Sequence, residues 1–543
     1  MARLLPGWIE SYRREWLPRD LLAGVLVAAV VVPQAVAYAD IAALPPEAGL
    51  IAAPGALIGY ALLGTSRTLI VSATTATSAL SAAAVGPIAG GDVGKYGELS
   101  AALALVTGAV LVVSGLLRIG GVMDLVSKPV ITGFLFGLAM TVTVDQLPKV
   151  FGVPDGSGKF FHRLVDLVRD LDQTSGWTLA VGLAGIVLLF ALKRLAPHVP
   201  GMLVVLVLSI IVSAALGLSD KGVAVVGELP KAYPHLSVPH VGWHDLVDLL
   251  GAAFGVLILS AEAAGVSRAI AAADGYAVDV NRDLVALGGS NALAGLSGGF
   301  VQSGGASQTL AAENAGGKTQ LTSVVTAVLV LVCGLFLTGL FKDLPEATLA
   351  AIVVFAISSF YRMGELRRFA RLRTSAIVLS LTALVGVLVI GVLPGLLLAA
   401  GLSLVVLIQR LSRPQVGPLA RDPESGAWGR ADRRPDWVPP AGVLVVRSDG
   451  PLFYANANSV KDRFLALVRA LEVPPRALIV DLGESHDLDV ETLDMLADLA
   501  DTLDEEGIEL RLAAVRMRSL EMLRRRGLAD RLRIETTIDG AIA

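Results

Sequence analysis

The chain has 543 residues, of which 54% are hydrophobic and 17% are charged, whereas about a quarter of the residues in soluble domains are charged. Many apolar stretches are about 15–22 residues long, which matches the thickness of a bilayer core. This composition excludes an ordinary soluble protein and predicts a membrane protein with many transmembrane segments.

Charge and residue counts exclude further classes of function. The 44 basic and 48 acidic residues give a net charge of −4, which provides no overall basic field for nucleic acid. The single cysteine, Cys333, excludes disulfides and cysteine-based metal sites. The histidines all fall in polar connections or in the C-terminal part, so a metal enzyme is not expected. They are His162, His198, His235, His240, His244 and His486.

Fourteen apolar segments follow an amphipathic N-terminal segment, residues 1–19, which lacks the pattern of a signal peptide. They are residues 20–40, 48–64, 73–86, 98–117, 128–148, 177–193, 199–217, 245–268, 283–298, 304–315, 319–341, 345–361, 373–392 and 395–410. Basic residues concentrate at the ends of the even-numbered segments. The positive-inside rule therefore predicts that both ends of the membrane domain, residues 20–411, face the cytoplasm.

The third and tenth segments, 73–86 and 304–315, are short and occupy the same position in each half of a seven-plus-seven division. Paired short or glycine-interrupted segments indicate inverted repeats with a binding site on broken helices near the bilayer midplane. The tenth segment begins in LSGGFVQSGGAS (296–307), which is unsuited to a continuous lipid-facing helix. The alternative is a surface loop beside a glycine packing seam.

Polar residues in these segments predict the wall of a binding site. Pro33 interrupts the first segment, and Gln34 and Tyr38 lie four residues apart on one helix face. The third segment predicts a helix start near Ser72–Thr75, where unpaired N–H groups carry partial positive charge. With the tenth-helix start, it would form an anion cradle. Kinked or packed helices with locally satisfied Ser, Thr, Gln and Tyr side chains remain the alternative.

Glu262 lies well inside the eighth segment, in LILSAEAAG (257–265). An ionisable group at membrane depth costs a few kcal/mol, so it predicts a functional role. Burial would favour a proton carrier, whereas a sodium ion would keep the carboxylate charged. Glu262 is therefore the expected coupling residue, with a sodium site near Glu262 and Thr74 as one form of the coupling.

The composition changes after Leu411. Residues 412–440 are rich in Pro, Arg, Asp and Gly and predict a linker. Residues 441–543 predict a small α/β domain with a mostly parallel sheet. Its expected strands are 443–447, 452–454, 477–481 and 509–513, and its expected helices are 458–470, 490–506 and 517–526.

Several motifs along the chain resemble the SulP anion-transporter family. They are VPQAVAYADIAALPPEAG (32–49), YALLGTSR (60–67), SKPVITGF (127–134), VGELP (226–230), NAGGKTQ (314–320) and LPEATLAA (344–351). The C-terminal DGPLFYAN (449–456) and DLDVETL (487–493) are similar to the STAS domain that SulP proteins append.

The resemblance implies fourteen helices in two inverted repeats, a core domain that moves against a gate domain, and secondary transport of sulfate, bicarbonate or dicarboxylates. It also implies a homodimer in a bacterial-type inner membrane, with a cytoplasmic STAS domain and no cofactor beyond a co-transported proton or sodium ion. Glu262 is implied as the coupling carboxylate. The implied substrate contacts are Gln34, Tyr38, Ser72, Ala73, Thr74, Thr75, Gly304, Gly305, Ala306, Ser307 and Gln308.

Three positions depart from the family pattern. Ser72-Ala73 stands where many relatives carry Gly-Pro, Gln308 stands where many carry a basic residue, and Glu491 replaces a phosphorylatable residue. Gln308 predicts a site without a fixed positive charge, which would favour less charged substrates. A neutral-solute permease of the same architecture, an uncoupled anion channel and a membrane-bound sensor are the alternative functions.

Overall fold

The predicted apolar segments coincide with fourteen helices in the part of the chain that the structure describes. The structure is a computed structural model and describes residues 7–10, 12–121, 126–156, 158–233 and 236–543. Residues 1–6 and 11 of the predicted N-terminal segment, and His235, lie outside it. The helices are α1 (Leu17–Ile41), α2 (Pro46–Leu63), α3 (Thr75–Ala89), α4 (Val93–Leu116), α5 (Lys128–Phe151), α6 (Gly176–Leu195), α7 (Gly201–Leu216), α8 (Trp243–Ala273), α9 (Val280–Leu296), α10 (Ala306–Asn314), α11 (Leu321–Phe336), α12 (Glu346–Ile357), α13 (Thr374–Ile390) and α14 (Val392–Ser412).

Local sequence sets many helix boundaries. Proline lies within the first two positions of α1, α2 and α5, where its missing N–H costs nothing. Asp92 and Asp279 cap α4 and α9 by accepting backbone N–H groups of the first turn. By length and composition, eight helices of the described residues could cross a membrane. The chain therefore folds as a multi-pass helical domain.

The helices pack as two groups. The core group contains α1–α4 and α8–α11, and the gate group contains α5–α7 and α12–α14. Glycines permit close approach inside each group. A Cβ on Gly288 of α9 would lie 2.7 Å from the Gly108 carbonyl of α4, and one on Gly133 of α5 would lie 1.9 Å from the Ser380 carbonyl of α13. In addition, α1 contacts α7 and α12, so it lies between the groups.

Shorter elements accompany these helices. Within the residues that the structure describes, the remaining α-helices of the membrane part are Gly7–Glu10, Phe160–Arg169 and Met363–Leu372, and the 3₁₀ turns are Arg14–Trp16, Asp170–Gln173, Ser219–Lys221, Thr338–Phe341 and Ser358–Phe360. Two-residue strands, β1 (Val71–Ser72) and β2 (Ser303–Gly304), precede α3 and α10. The broken third and tenth helices are thus confirmed.

A second compact unit, Leu404–Ala543, contains a six-stranded sheet. Its elements are β3 (Val416–Arg421), β4 (Trp428–Arg430), a 3₁₀ turn (Ala431–Arg433), β5 (Val443–Ser448), α15 (Ala457–Arg469), β6 (Ala477–Asp481), α16 (Val490–Glu505), β7 (Glu509–Ala513), α17 (Met517–Arg525), β8 (Arg533–Ile534) and α18 (Ile538–Ile542). The strand order is β4-β3-β5-β6-β7-β8, in which β5 to β8 are parallel and β3 is antiparallel to both β4 and β5. Apolar residues pack against both sheet faces.

Two predictions for this unit are wrong. The predicted linker, 412–440, contains β3 and β4, because Leu419 and Ala420 are buried in the sheet despite the surrounding Pro, Arg and Asp. The predicted strand 452–454 is irregular, because side chains rather than a neighbouring strand accept its amides. Leu452 N donates to Ser485 Oγ at 3.0 Å, and Tyr454 N donates to Asp489 Oδ2 at 2.6 Å.

Candidate functional site

Strands β1 and β2 pair in antiparallel orientation, with Val71 opposite Gly304 and Ser72 opposite Ser303. Each strand leads directly into a short helix, β1 into α3 and β2 into α10. The pairing therefore brings the N-termini of the two helices together inside the core group. The predicted helix starts are found at Thr74, the N-cap of α3, and at Gly305, the N-cap of α10.

Buried polar side chains satisfy the non-helical backbone around the strands. Thr309 Oγ1 accepts from Ile70 N at 3.1 Å and donates to the Gly305 carbonyl at 2.7 Å. Asn291 bonds both the amide and the carbonyl of Gln302 at 2.9 Å. Extended backbone in a membrane domain requires such partners, since no water is available to replace them.

Glycine allows close contacts where β2 meets its neighbours. A Cβ on Gly304 would lie 2.6 Å from Ala263 Cβ on α8, and a Cβ on Gly305 would lie 1.7 Å from Gln308 Oε1. Because Gly304 has no Cβ, Ala263 of α8 can pack directly on β2. Because Gly305 has no Cβ, the Gln308 carboxamide can fold back over the start of its own helix. The glycines thus fix the shape of the site.

The two helix starts are capped differently. Thr74 and Thr77 form a capping box, in which each side chain accepts the other's backbone N–H at 3.3 Å. Gly305 provides no side-chain cap, and the first helical bond of α10 runs from Thr309 N to the Gly305 carbonyl at 3.0 Å. The amides before Thr309 therefore add their dipoles to the partial positive charge of the α10 N-terminus.

A carboxamide pair joins α10 to α1. Gln308 Nε2 donates to Gln34 Oε1 at 2.6 Å and to the Ala73 carbonyl at 3.4 Å. Gln308 Oε1 accepts from Ser307 Oγ at 3.1 Å, and Gln34 Nε2 donates to Met202 Sδ at 3.5 Å. The hydroxyls of Ser307 and Thr74, predicted as substrate donors, are thus engaged within the protein.

A cavity of about 540 Å³ lies at these elements and also reaches α6, α7, α8 and α12. Ser72 and Ala73 do not line it. Ser72 pairs with Ser303 in the strands, and Ala73 presents its carbonyl to Gln308. The other predicted site residues do line the cavity; they are Gln34, Tyr38, Thr74, Thr75, Glu262, Gly304, Gly305, Ala306, Ser307 and Gln308.

Two basic residues that the sequence did not identify as site residues also line the cavity. Arg362 Nη2 donates to Glu262 Oε1 at 2.9 Å, and Lys193 Nζ lies 5.5 Å from the centre of the Phe355 ring. The prediction of a site without fixed positive charge is therefore wrong. Both residues lie at helix ends, where the sequence indicated only loop charges that orient the protein. Only the contact between Arg362 and Glu262, which the structure shows, identifies Arg362 as a site residue.

The cavity carries more positive than negative charge. Lys193 and Arg362 contribute two cations, and Glu262 contributes one carboxylate. The helix N-termini add partial positive charge, so the arrangement favours an anion. Among the described residues, no group of three or more His, Cys, Asp or Glu side chains has the arrangement of a metal site.

Comparison with protein families gives two matches. Residues 17–383 match the sulfate permease family, and residues 435–541 match the STAS domain. The second match covers β5 to β8 and the helices between them. The first match covers α1 to α12 and the first part of α13, and the second covers most of the second unit.

Relatives and solved structures agree with this assignment. A probable sulfate transporter of Mycobacterium tuberculosis is 34% identical over 530 residues, which cover 97% of this chain and 95% of the relative. The structure of the murine Solute Carrier 26 family member A9 anion transporter has a TM-score of 0.90 at 22% identity, covering 99% of this chain and 93% of that one. The transmembrane domain of a cyanobacterial bicarbonate transporter, BicA, has a TM-score of 0.63 at 24% identity, covering 73% and 98%. The chain belongs to the sulfate permease family of anion transporters and carries a C-terminal STAS domain.

Proposed function

We propose that this protein is a secondary active transporter of small oxyanions, with sulfate as its foremost substrate. The observation that carries the proposal is the cavity in which two half-helix N-termini meet the basic side chains of Arg362 and Lys193. Backbone N–H groups and partial positive charge suit an oxyanion without a metal. The cavity has a volume of about 540 Å³, which accommodates a small solute.

The charge balance supports sulfate over a neutral solute. A dianion gains from both cations of the cavity, whereas an uncharged solute would gain only from the Gln34–Gln308 carboxamides. The Mycobacterium tuberculosis relative is also named a probable sulfate transporter. Bicarbonate and dicarboxylates also carry negatively charged oxygens that the helix N-termini and the two basic side chains can bind. They are the alternative substrates.

Transport proceeds by alternating access, with the core group moving against the gate group. Glu262 on α8 is the coupling carboxylate for a proton or a sodium ion, since an acid at membrane depth is costly without such a role. A sodium ion would bind near Glu262 and Thr74, which line the same cavity. Cation and anion must favour the same loaded state for symport.

The protein acts as a homodimer in the inner membrane, with its N-terminus and STAS domain in the cytoplasm. The concentration of basic residues at alternate helix ends supports this orientation. The STAS domain has its own apolar core and sheet, which supports a regulatory or mechanical contribution beyond the transport path.

Counterflow in proteoliposomes tests the substrate assignment. Vesicles loaded with unlabelled sulfate should take up labelled sulfate, and external bicarbonate or dicarboxylate should compete more than uracil, a neutral solute. Uptake of uracil without sulfate exchange would instead identify a neutral-solute permease. Ligand binding without flux would indicate a sensor, and non-saturating anion currents would indicate a channel.

A further inference from the structure

The ion pair between Glu262 and Arg362 joins the core group to the gate group. Glu262 belongs to α8, and its neighbour Ala263 packs directly on β2, where a Cβ on Gly304 would lie 2.6 Å from Ala263 Cβ. Glu262 is therefore fixed to the body that carries both half-helix N-termini.

Arg362 is fixed to the other group. It precedes the helix Met363–Leu372, and the adjacent Tyr361 anchors the segment to α5. The Tyr361 hydroxyl lies 2.9 Å from Thr143 Oγ1, and its ring packs edge-on against Phe136 with 5.1 Å between the ring centres. Arg362 is therefore attached to the gate group, whereas the helix starts that line the same cavity belong to the core group.

The Arg362 side chain can bind more than Glu262. A guanidinium has five N–H donors, and among the described residues the Arg362 side chain makes one hydrogen bond, to Glu262 Oε1. The side chains of Arg362 and Glu262 are 38% and 29% exposed, and both line the cavity. Guanidinium favours bidentate contacts with oxyanions, so the donors of Arg362 that Glu262 does not use can bind an anion, and the negative charge of the neighbouring carboxylate opposes that binding.

We propose that Arg362 is a substrate-contacting residue that determines the charge selectivity of the site. An oxyanion at the starts of α3 and α10 binds the donors of the guanidinium that Glu262 leaves unused. The gate group thereby supplies a cation to a cavity in which the α10 side chain Gln308 is neutral. Since the anion then binds elements of both groups, its charge controls how strongly it holds them together. The inference rests on the proposed function and names its specificity determinant.

Sulfate binding to the purified full-length protein, measured by calorimetry, tests this proposal. Arg362→Gln should weaken sulfate affinity at least about tenfold, because a charge-assisted contact is lost, and should weaken binding of monovalent nitrate less. Glu262→Gln should strengthen sulfate binding, because it removes the opposing negative charge. The double variant should resemble Arg362→Gln. The control Arg367→Gln, a residue outside the cavity lining, should bind like wild type.

A structural role for the pair makes a different prediction. If the ion pair only braces the two groups, Arg362→Gln and Glu262→Gln should change sulfate affinity in the same direction, and this result would overturn the proposal. Unchanged sulfate affinity in a folded Arg362→Gln variant would also overturn it. Should that variant not fold, Arg362→Lys replaces it and should lose sulfate affinity while Glu262→Gln gains it. Wild-type protein that transports sulfate despite either contrary result would retain the proposed function, whereas no anion binding by wild type contradicts both.

Discussion

The carboxamide of Gln308 donates a hydrogen bond to the side-chain oxygen of Gln34 across 2.6 Å, although the two residues are 274 positions apart. The bond joins the start of α10 to the middle of α1, and both residues are buried. A buried amide that loses its hydrogen-bond partner remains desolvated without compensation, which is unfavourable. The pair therefore holds α1 against the half-helix start and orients one wall of the cavity.

Removal of this bond should weaken substrate binding. Gln34→Ala and Gln308→Ala should each raise the KM for the transported anion about three- to tenfold, because the remaining carboxamide reorients. The double variant should lose less than the product of the single effects, since both changes break one interaction. Initial uptake rates over a range of anion concentrations give the comparison. Fully independent effects would show that the two side chains act separately.

Gly304→Ala should destabilise the membrane domain. The added methyl group would lie 2.6 Å from Ala263 Cβ and push α8 away from β2, at a cost of about 1–3 kcal/mol. Thermal unfolding of the purified protein should show a lower midpoint. Gly86→Ala is the matched control, because its Cβ would meet nothing within 4 Å, and the second change Ala263→Gly should restore stability. No rescue by Ala263→Gly would contradict the steric explanation.

Glu262→Gln should abolish accumulation driven by a cation gradient while counterflow of the anion continues. The amide cannot bind a proton at neutral pH and attracts sodium weakly, so substrate movement loses its driving ion. Glu313→Gln, on α10 but outside the cavity lining, is the matched control. Concentrative uptake by Glu262→Gln at the wild-type level would refute the coupling role.

Asp489 should stabilise the STAS domain in a pH-dependent way. Burial raises the pKa of its carboxyl, but bonds from Thr492 and the Tyr454 amide outweigh burial, and the pKa is lowered overall. A folded pKa below the unfolded value of about 3.9 means that the stabilisation is present above that pH and is lost as pH falls through the folded pKa.

Hydrogen exchange of the Thr492 amide in the full-length protein tests this role. Asp489→Ala should remove the α16 cap, cost about 1 kcal/mol and speed exchange about fivefold at neutral pH. Asp489→Asn keeps a capping oxygen and should retain most protection, without the loss at acidic pH. Equal exchange in wild type and Asp489→Ala would mean that the cap does not limit local opening.

The sequence was sufficient to predict the helices and most of the residues singled out here that line the candidate cavity. Hydropathy located the fourteen segments, and the short third and tenth segments pointed to the broken helices that β1 and β2 now join. Such features are local, because helix length, glycine content and cap residues are read within one stretch of chain. The helix starts at Thr74 and Gly305 follow from the same local signals.

The sequence pattern could not predict contacts between segments that lie far apart in the chain. Arg362 is 100 positions from Glu262, and its place in a basic loop is equally consistent with an orienting charge. Which cation meets the acid depends on how the gate group packs against the core group. Likewise, Leu419 and Ala420 are buried in the sheet, where they pair with Arg430 and Gly429 of β4, and a Pro- and Arg-rich stretch does not reveal this pairing.

The most direct test of the central claim is uptake of labelled sulfate into proteoliposomes under an inward proton gradient or an inward sodium gradient, imposed separately. If transport is coupled to a cation, one of these gradients drives sulfate above its equilibrium concentration, and dissipating the gradient releases it. Equilibration of sulfate without accumulation under both gradients, by protein shown to be inserted and folded, would contradict cation-coupled transport.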